Sequence, residues 1–97
     1  MNAAKRIPTH PGRILREELD ARAMSASALA KALGVDAPRI NEIVNCRRSV
    51  TPDTALRLAR YFEGSPKFWL TMQMNHDLGK AEAELGARIK NEVRAAA

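Results

Sequence analysis

Apolar residues recur along the chain at the three- and four-residue spacing of amphipathic helices, and no segment shows the alternation of a strand. Four stripes of this kind follow one another in the first two thirds of the sequence. In chain order they are Ile14, Leu15 and Leu19; Leu29, Ala30 and Leu33; Ile40, Ile43 and Val44; and Ala55, Leu58, Ala59 and Phe62. This periodicity predicts an all-α protein.

Capping residues indicate where the helices begin and end. Pro11 suits the first turn of the first helix, which we expect over about residues 11–22. A side chain that can accept hydrogen bonds from first-turn N–H groups precedes each of the other helices. These residues are Ser25, Asp36, Thr51 and Ser65. Gly34 and Gly64 are predicted to end the second and fourth helices, because glycine tolerates a left-handed backbone.

The fifth helix is predicted to begin at Pro66 and to carry aromatic residues. We expect Phe68, Trp69 and Met72 to pack onto the fourth helix as core residues. The alternative is a role shared between the core and a dimer interface, because aromatic side chains are enriched at interfaces.

Beyond residue 78 the apolar pattern thins. Its members are Leu78, Leu85, Ile89 and Val93. Gly79 and Gly86 each weaken a helix here by about 1 kcal/mol relative to alanine. We therefore divide the chain into an N-terminal tail (1–10), a five-helix domain (11–78) and a C-terminal helical extension or tail (79–97). The extension either contacts a second chain, its own copy or another protein, or frays.

The second and third helices are joined by residues 34–36 alone. A connection this short forces a sharp crossing angle, and Gly34 supplies the backbone freedom that the turn needs. Ala30 is small where the two helices must approach closely. This pattern is typical of a helix-turn-helix, whose second helix enters the DNA major groove.

The apolar stripe of the third helix leaves a mixed outer face. Its residues are Pro38, Arg39, Asn41, Glu42 and Asn45. Arginine can bind guanine bidentately, asparagine can bind adenine, and glutamate can accept a hydrogen bond from cytosine. Arg47 and Arg48 follow the helix, where a duplex backbone would pass and where contacts position a protein rather than read sequence. The alternative is an ordinary solvated face.

Charge and cysteine content favour a polyanionic partner in a reducing compartment. The formal net charge is +5, with 16 lysines and arginines against 11 acidic residues. Cys46 is the only cysteine, so an intramolecular disulfide is excluded. No run of about 18 apolar residues is present to span a membrane, and the N-terminus lacks the apolar core of a signal peptide. We expect a soluble, cytoplasmic protein.

Other kinds of chemistry find little support in the sequence. His10, Cys46 and His76 lie far apart, without the spacing of a metal site. Glu17 and Glu18 diverge by about 100° on a helix, which disfavours an acid/base pair. We predict no enzymatic activity, no metal site and no cofactor.

Four segments together resemble a known family. They are "THPGRILREEL", "RINEIV", "TPDTALRLARYF" and "SPKFWLTMQ". Over about residues 7–78 the chain resembles the HigA (VapI-like) antitoxins of the phage-repressor-like (Xre) superfamily. The resemblance implies a five-helix, lambda-repressor-like fold. It also implies a homodimer that binds a palindromic operator in its own promoter and sequesters a HigB-type, RelE-like mRNA endonuclease. A solitary Xre regulator without a toxin and a helix-turn-helix protein-interaction module are the alternatives.

The resemblance also implies roles for individual residues. Those at or near base edges are Ala37, Pro38, Arg39, Asn41 and Glu42. Those at phosphates are Ser25, Ser27, Asn45, Arg47 and Arg48. Ala37 and Pro38 stand where relatives often have longer polar side chains, so Arg39 is the strongest candidate for base readout. Cys46 replaces a glycine of the family, so either Asn45 adopts a positive φ or the turn is strained.

Overall fold

A computed structural model describes residues 6–96. Within that range the protein is helical and contains no strand. The helices are α1 (Pro11–Ala21), α2 (Ala26–Leu33), α3 (Ala37–Val44), α4 (Pro52–Phe62) and α5 (Pro66–Glu92). The predicted all-α, five-helix architecture is confirmed. Residues 1–5 of the predicted N-terminal tail, and Ala97 of the C-terminal segment, lie outside the described residues.

The core forms where one face of each helix meets its neighbours. α2 packs against α3 and α4, α1 packs against α3, and α5 packs against α4 and α1. The predicted stripes supply most of the side chains that are fully buried, among them Leu15, Leu29, Ile40, Ile43 and Leu58. Because α3 is held from one side only, its outer side is left for other contacts.

The predicted packing of α5 holds in part. Trp69 is buried, with 4% of its surface exposed, and Met72 packs partly against the core. Phe68 is 51% exposed and meets Trp69 edge-on, so its assignment to the core is wrong. Adjacent helical positions point about 100° apart, and Trp69 takes the inward direction.

Most predicted caps form. Ser25, Thr51 and Ser65 accept hydrogen bonds from first-turn N–H groups. Asp36 stands at the N-cap of α3, but its side chain makes no capping hydrogen bond, which corrects the prediction. Gly34 ends α2 with a φ of 75°, as expected. At the end of α4 the left-handed residue is Glu63, with a φ of 58°, rather than Gly64.

The start of α1 has an N-cap residue that was not predicted from the sequence. His10 is the N-cap, and its Nδ1 accepts a hydrogen bond from the Gly12 N–H at 2.8 Å. Burial, and then the neighbouring His76, lower the pKa of His10, which favours the neutral ring with an accepting nitrogen. A Cβ on Gly12 would overlap the Ile43 carbonyl oxygen. Glycine therefore lets α1 approach the last turn of α3.

The segment before α1 is fastened to α5. The Pro8 carbonyl accepts a hydrogen bond from His76 Nδ1 at 2.8 Å, and the rings of His76 and His10 meet edge-on at 5.0 Å. A Cβ on Gly79 would lie 2.5 Å from Pro8 Cδ. Gly79 is thus a seat for the N-terminal segment, although the sequence suggested only a weak point in the helix.

α5 continues unbroken to Glu92, far past the rest of the bundle. The predicted boundary between residues 78 and 79 falls inside this helix, and the division of the chain at that point stays a prediction. Its late apolar residues, Leu78, Leu85 and Ile89, are exposed. Across residues 6–96, every helix is too short or too polar to cross a membrane.

Candidate nucleic-acid interface

The turn between α2 and α3 has the geometry that the sequence predicted. Gly34 takes the left-handed conformation, and the Val35 N–H donates to the Ala30 carbonyl at 3.0 Å. α3 then buries Ile40 and Ile43 completely against the neighbouring helices. This arrangement fixes which side of α3 remains available.

Four of the five predicted base-reading residues lie on that available side. Pro38 and Asn41 are exposed, and Arg39 and Glu42 are partly exposed. Ala37, at the first position of α3, packs partly against the core. The described chain therefore leaves most of this face uncovered, which is the condition for contact with a duplex.

Polar groups of this face are already paired within the protein. Glu42 Oε1 forms an ion pair with Arg48 Nε at 3.0 Å. Asn45 Oδ1 accepts a hydrogen bond from Arg16 Nη2 at 3.0 Å, and its amide donates to the Asn41 carbonyl. Arg48 thus neutralises the carboxylate that would otherwise repel phosphates, and Arg16 of α1 holds the end of α3.

Arg39 is directed toward the start of α4. Its Nη1 donates to Asp53 Oδ1 at 2.9 Å, and Arg57 Nε donates to the same oxygen at 2.8 Å. These hydrogen bonds, from Arg57 first and Arg39 second, hold the pKa of the Asp53 carboxyl below its ordinary value. Asp53 is therefore ionised near neutral pH.

Arg39 and Arg48 line one shallow depression. The other residues of its wall are Ser49, Thr51, Asp53 and Thr54. Asp53, Arg16 and Ser49 were not predicted from the sequence as part of this site. The only signal in the sequence was an acidic residue, Asp53, in the first turn of α4. The spacing of residues did not show that Asp53 faces Arg39.

The predicted phosphate contacts are spread over two places. Ser25 caps α2, with its Oγ accepting from the Ala28 N–H at 3.0 Å, and Ser27 is exposed in the first turn. Arg47 and Arg48 are exposed after α3. All of these side chains are accessible, and their proposed roles stay predictions.

Cys46 closes α3 in the conformation that glycine favours. Its φ is 60°, while Asn45 has a φ of −90°. The Arg47 N–H donates to the Glu42 carbonyl at 2.8 Å and the Cys46 N–H to the Ile43 carbonyl at 2.9 Å, which is a Schellman motif. Of the two conformations expected from the sequence, the strained cysteine is the one observed.

The histidines come together in space although they are distant in sequence, but both rings are engaged in the hydrogen bonds given above. Among residues 6–96, no cluster of histidine, cysteine, aspartate and glutamate is arranged to hold a metal ion.

Comparison with known proteins places this geometry in a family. A helix-turn-helix family model matches residues 15–69. Virulence-associated protein I of Dichelobacter nodosus is 58% identical over 76 residues, covering 77% of this chain and 70% of that protein. The Pseudomonas aeruginosa antitoxin HigA, solved with the higBA promoter, is 43% identical with a TM-score of 0.88, over 93% of this chain and 99% of that one.

A further solved relative is also in complex with DNA. The antitoxin GraA in complex with its operator is 42% identical, with a TM-score of 0.87, over 100% of this chain and 98% of that one.

Proposed function

Because this chain belongs to the helix-turn-helix family and to its group of HigA-type antitoxins, we propose that it is a DNA-binding repressor that acts as the antitoxin of a type II toxin–antitoxin module. It represses its own operon from a palindromic operator and neutralises a HigB-like, RelE-type ribonuclease. It acts in the cytoplasm, without cofactor, metal or enzymatic activity of its own.

The observation that carries this proposal is the uncovered outer side of α3. Its polar groups face away from a core that buries the opposite side. The helix follows a short turn after α2, which is how recognition helices are presented to the major groove. Support comes from relatives at 42–43% identity that were solved with a promoter or an operator.

We propose that base edges are contacted by the residues that the family resemblance indicates, which are Ala37, Pro38, Arg39, Asn41 and Glu42. Phosphates are contacted by Ser25, Ser27, Asn45, Arg47 and Arg48. Arg39 has the chemistry for bidentate recognition of guanine. Arg48 contributes a positive charge and also masks Glu42, with which it pairs at 3.0 Å.

The protein acts as a homodimer in this proposal. One copy presents one α3, whereas a palindromic operator offers two half-sites about 34 Å apart, or one turn of DNA. A second copy related by two-fold symmetry would place the second α3 on the same face of the duplex.

Substitution of two arginines distinguishes base recognition from the electrostatic attraction to phosphates. Arg39→Ala should reduce operator affinity by about 1–3 kcal/mol and relax preference at one base pair. Arg48→Ala should weaken binding to all sequences alike, because it removes a cation that is proposed to contact phosphate. Gel shifts on the promoter duplex and on random DNA, at several salt concentrations, measure both effects.

Arg88→Ala is the matched control. Arg88 also forms an ion pair, with Glu92, but both residues lie on α5 and neither is among the proposed DNA contacts. It should leave binding unchanged. Equal losses for operator and random DNA with Arg39→Ala would refute the readout assignment. Binding that is absent or independent of salt would favour a protein-interaction module instead.

The antitoxin role is tested by the neighbouring open reading frame. A small RelE-like toxin encoded there should arrest growth when expressed alone, and co-expression of this chain should restore growth. The two proteins should also co-purify. A neighbourhood without such a toxin indicates a solitary Xre-type regulator.

A further inference from the structure

A chain of hydrogen bonds links the arginine of α3 to the two helices around it. Asp53 Oδ1 accepts from Arg39 Nη1 at 2.9 Å and from Arg57 Nε at 2.8 Å. Arg57 Nη1 in turn donates to the carbonyl oxygen of Leu33, the last residue of α2, at 2.8 Å. The Arg39 guanidinium is thereby tied, through two side chains, to the backbone of the helix-turn-helix itself.

These contacts fix the direction of the Arg39 guanidinium. Nη1 faces Asp53, and Nε lies 4.0 Å from the carboxylate of Asp36, while 31% of the side chain is exposed. Nη2 takes no part in either contact. An arginine reads a base specifically because its planar fork is held in one orientation, whereas a mobile arginine attaches to any nearby acceptor.

The negative charge of Asp53 also favours base recognition by Arg39 over phosphate binding. A carboxylate paired with Arg39 reduces the attraction of that arginine for phosphates, which is independent of sequence. Arg39 can then add affinity mainly where its outward N–H groups meet matching base acceptors. The pairing thus favours discrimination at the expense of affinity for random DNA.

We propose that Asp53 is a positioning residue for DNA readout. It holds the guanidinium of Arg39 in the orientation that recognises the operator and withholds it from phosphates. This inference rests on the proposed base contact of Arg39.

The test compares Asp53→Asn with Asp36→Asn in the full chain. Both substitutions remove one negative charge beside Arg39, but only the first replaces the charged acceptor of its hydrogen bond at 2.9 Å with a neutral amide, whose oxygen is a weaker acceptor. Fluorescence anisotropy gives the Kd for the promoter duplex and for a random duplex of equal length at one salt concentration. The readout is the specificity ratio, which is the Kd for the random duplex divided by the Kd for the promoter duplex.

Asp53→Asn should lower this ratio by roughly tenfold, within the range of one bidentate base contact. Affinity for random DNA should rise and operator affinity should fall. Asp36→Asn should change the ratio by less than about twofold, because a charge change alone shifts both affinities together. Equal changes in the two variants, or an unchanged ratio in Asp53→Asn, would overturn the proposal.

A double variant shows whether Asp53 acts through Arg39. The ratio for Arg39→Ala combined with Asp53→Asn should equal that for Arg39→Ala alone, and additive losses contradict the inference. If Arg39→Ala leaves the ratio unchanged, the base contact and the inference both fail. If Arg39→Ala lowers the ratio and Asp53→Asn does not, the inference alone fails.

Thermal unfolding accompanies each variant. If Asp53→Asn does not fold, Arg57→Gln is used, because it removes the tie to the Leu33 carbonyl and leaves Asp53 beside Arg39. It should lower the ratio in the same direction by a smaller factor, and an unchanged ratio in this folded variant counts against the proposal.

Discussion

At the residue scale, Cys46 shows how a local rule is broken without loss of the local structure. Its φ of 60° is the left-handed conformation that favours glycine, yet both hydrogen bonds of the Schellman motif form around it. A non-glycine residue in the left-handed region costs roughly 1–2 kcal/mol. The turn after α3 therefore stores strain next to the arginines proposed to contact DNA.

Replacing Cys46 should release that strain. Cys46→Gly is expected to raise the free energy of unfolding by about 1 kcal/mol, after allowance for the larger entropy of glycine in the unfolded chain. Urea denaturation under reducing conditions measures the change. Cys46→Ala is the control and should stay near the parent protein, because alanine suffers the same strain. Equal stabilities for the glycine and alanine variants would show that the turn is unstrained.

At the element scale, α5 contains two glycines with different surroundings. A Cβ on Gly86 would meet only the Glu82 side chain, with Cγ at 3.3 Å, which a small movement relieves. A Cβ on Gly79 would meet the ring of Pro8 at 2.5 Å. The same residue type therefore weakens the helix at one position and admits the N-terminal segment at the other.

Alanine substitutions should distinguish these two roles. Gly86→Ala is expected to stabilise the protein by up to about 1 kcal/mol through helix propensity. Gly79→Ala gains the same propensity but displaces Pro8 and its hydrogen bond to His76, so its melting temperature should fall below that of Gly86→Ala. Thermal unfolding followed by circular dichroism compares them. Equal melting temperatures would mean that the N-terminal segment does not depend on Gly79.

At the scale of the whole molecule, α5 gives the protein its elongated shape. The described chain measures 51 × 29 × 22 Å. Along α5, Leu78 and Leu85 are exposed, at 62% and 40% of their surfaces. Exposed apolar residues in a row often mark an interface. Since the proposed operator requires two copies of α3, we expect a second copy of the chain to cover this stripe.

Charged substitutions on the stripe should separate the copies. Leu78→Glu combined with Leu85→Glu is expected to halve the molar mass measured by light scattering. It should also weaken binding to the palindromic operator far more than binding to a half-site. Leu56→Glu on α4, where leucine is 61% exposed, is the control and should keep the parent mass. A monomer produced by Leu56→Glu instead would place the interface on α4.

The helices and the exposed face of α3 were predictable because their determinants are local. Apolar spacing decides which side of a helix is buried, and Ser25, Thr51 and Ser65 act on N–H groups within three residues of themselves. The short connection ending at Asp36 was enough to predict that α2 and α3 pack against each other. Phe68 was misplaced because spacing does not decide which of two neighbouring aromatic residues turns inward.

The sequence by itself thus determined the number of helices, the turn between α2 and α3, and the side of α3 that stays outside the core. Only the tertiary structure decided the contacts between elements. It packs Gly12 against Ile43 and Pro8 against Gly79, and it brings Arg39 within hydrogen-bond distance of Asp53. These pairs depend on how whole helices pack, and no periodicity within one helix records the position of another.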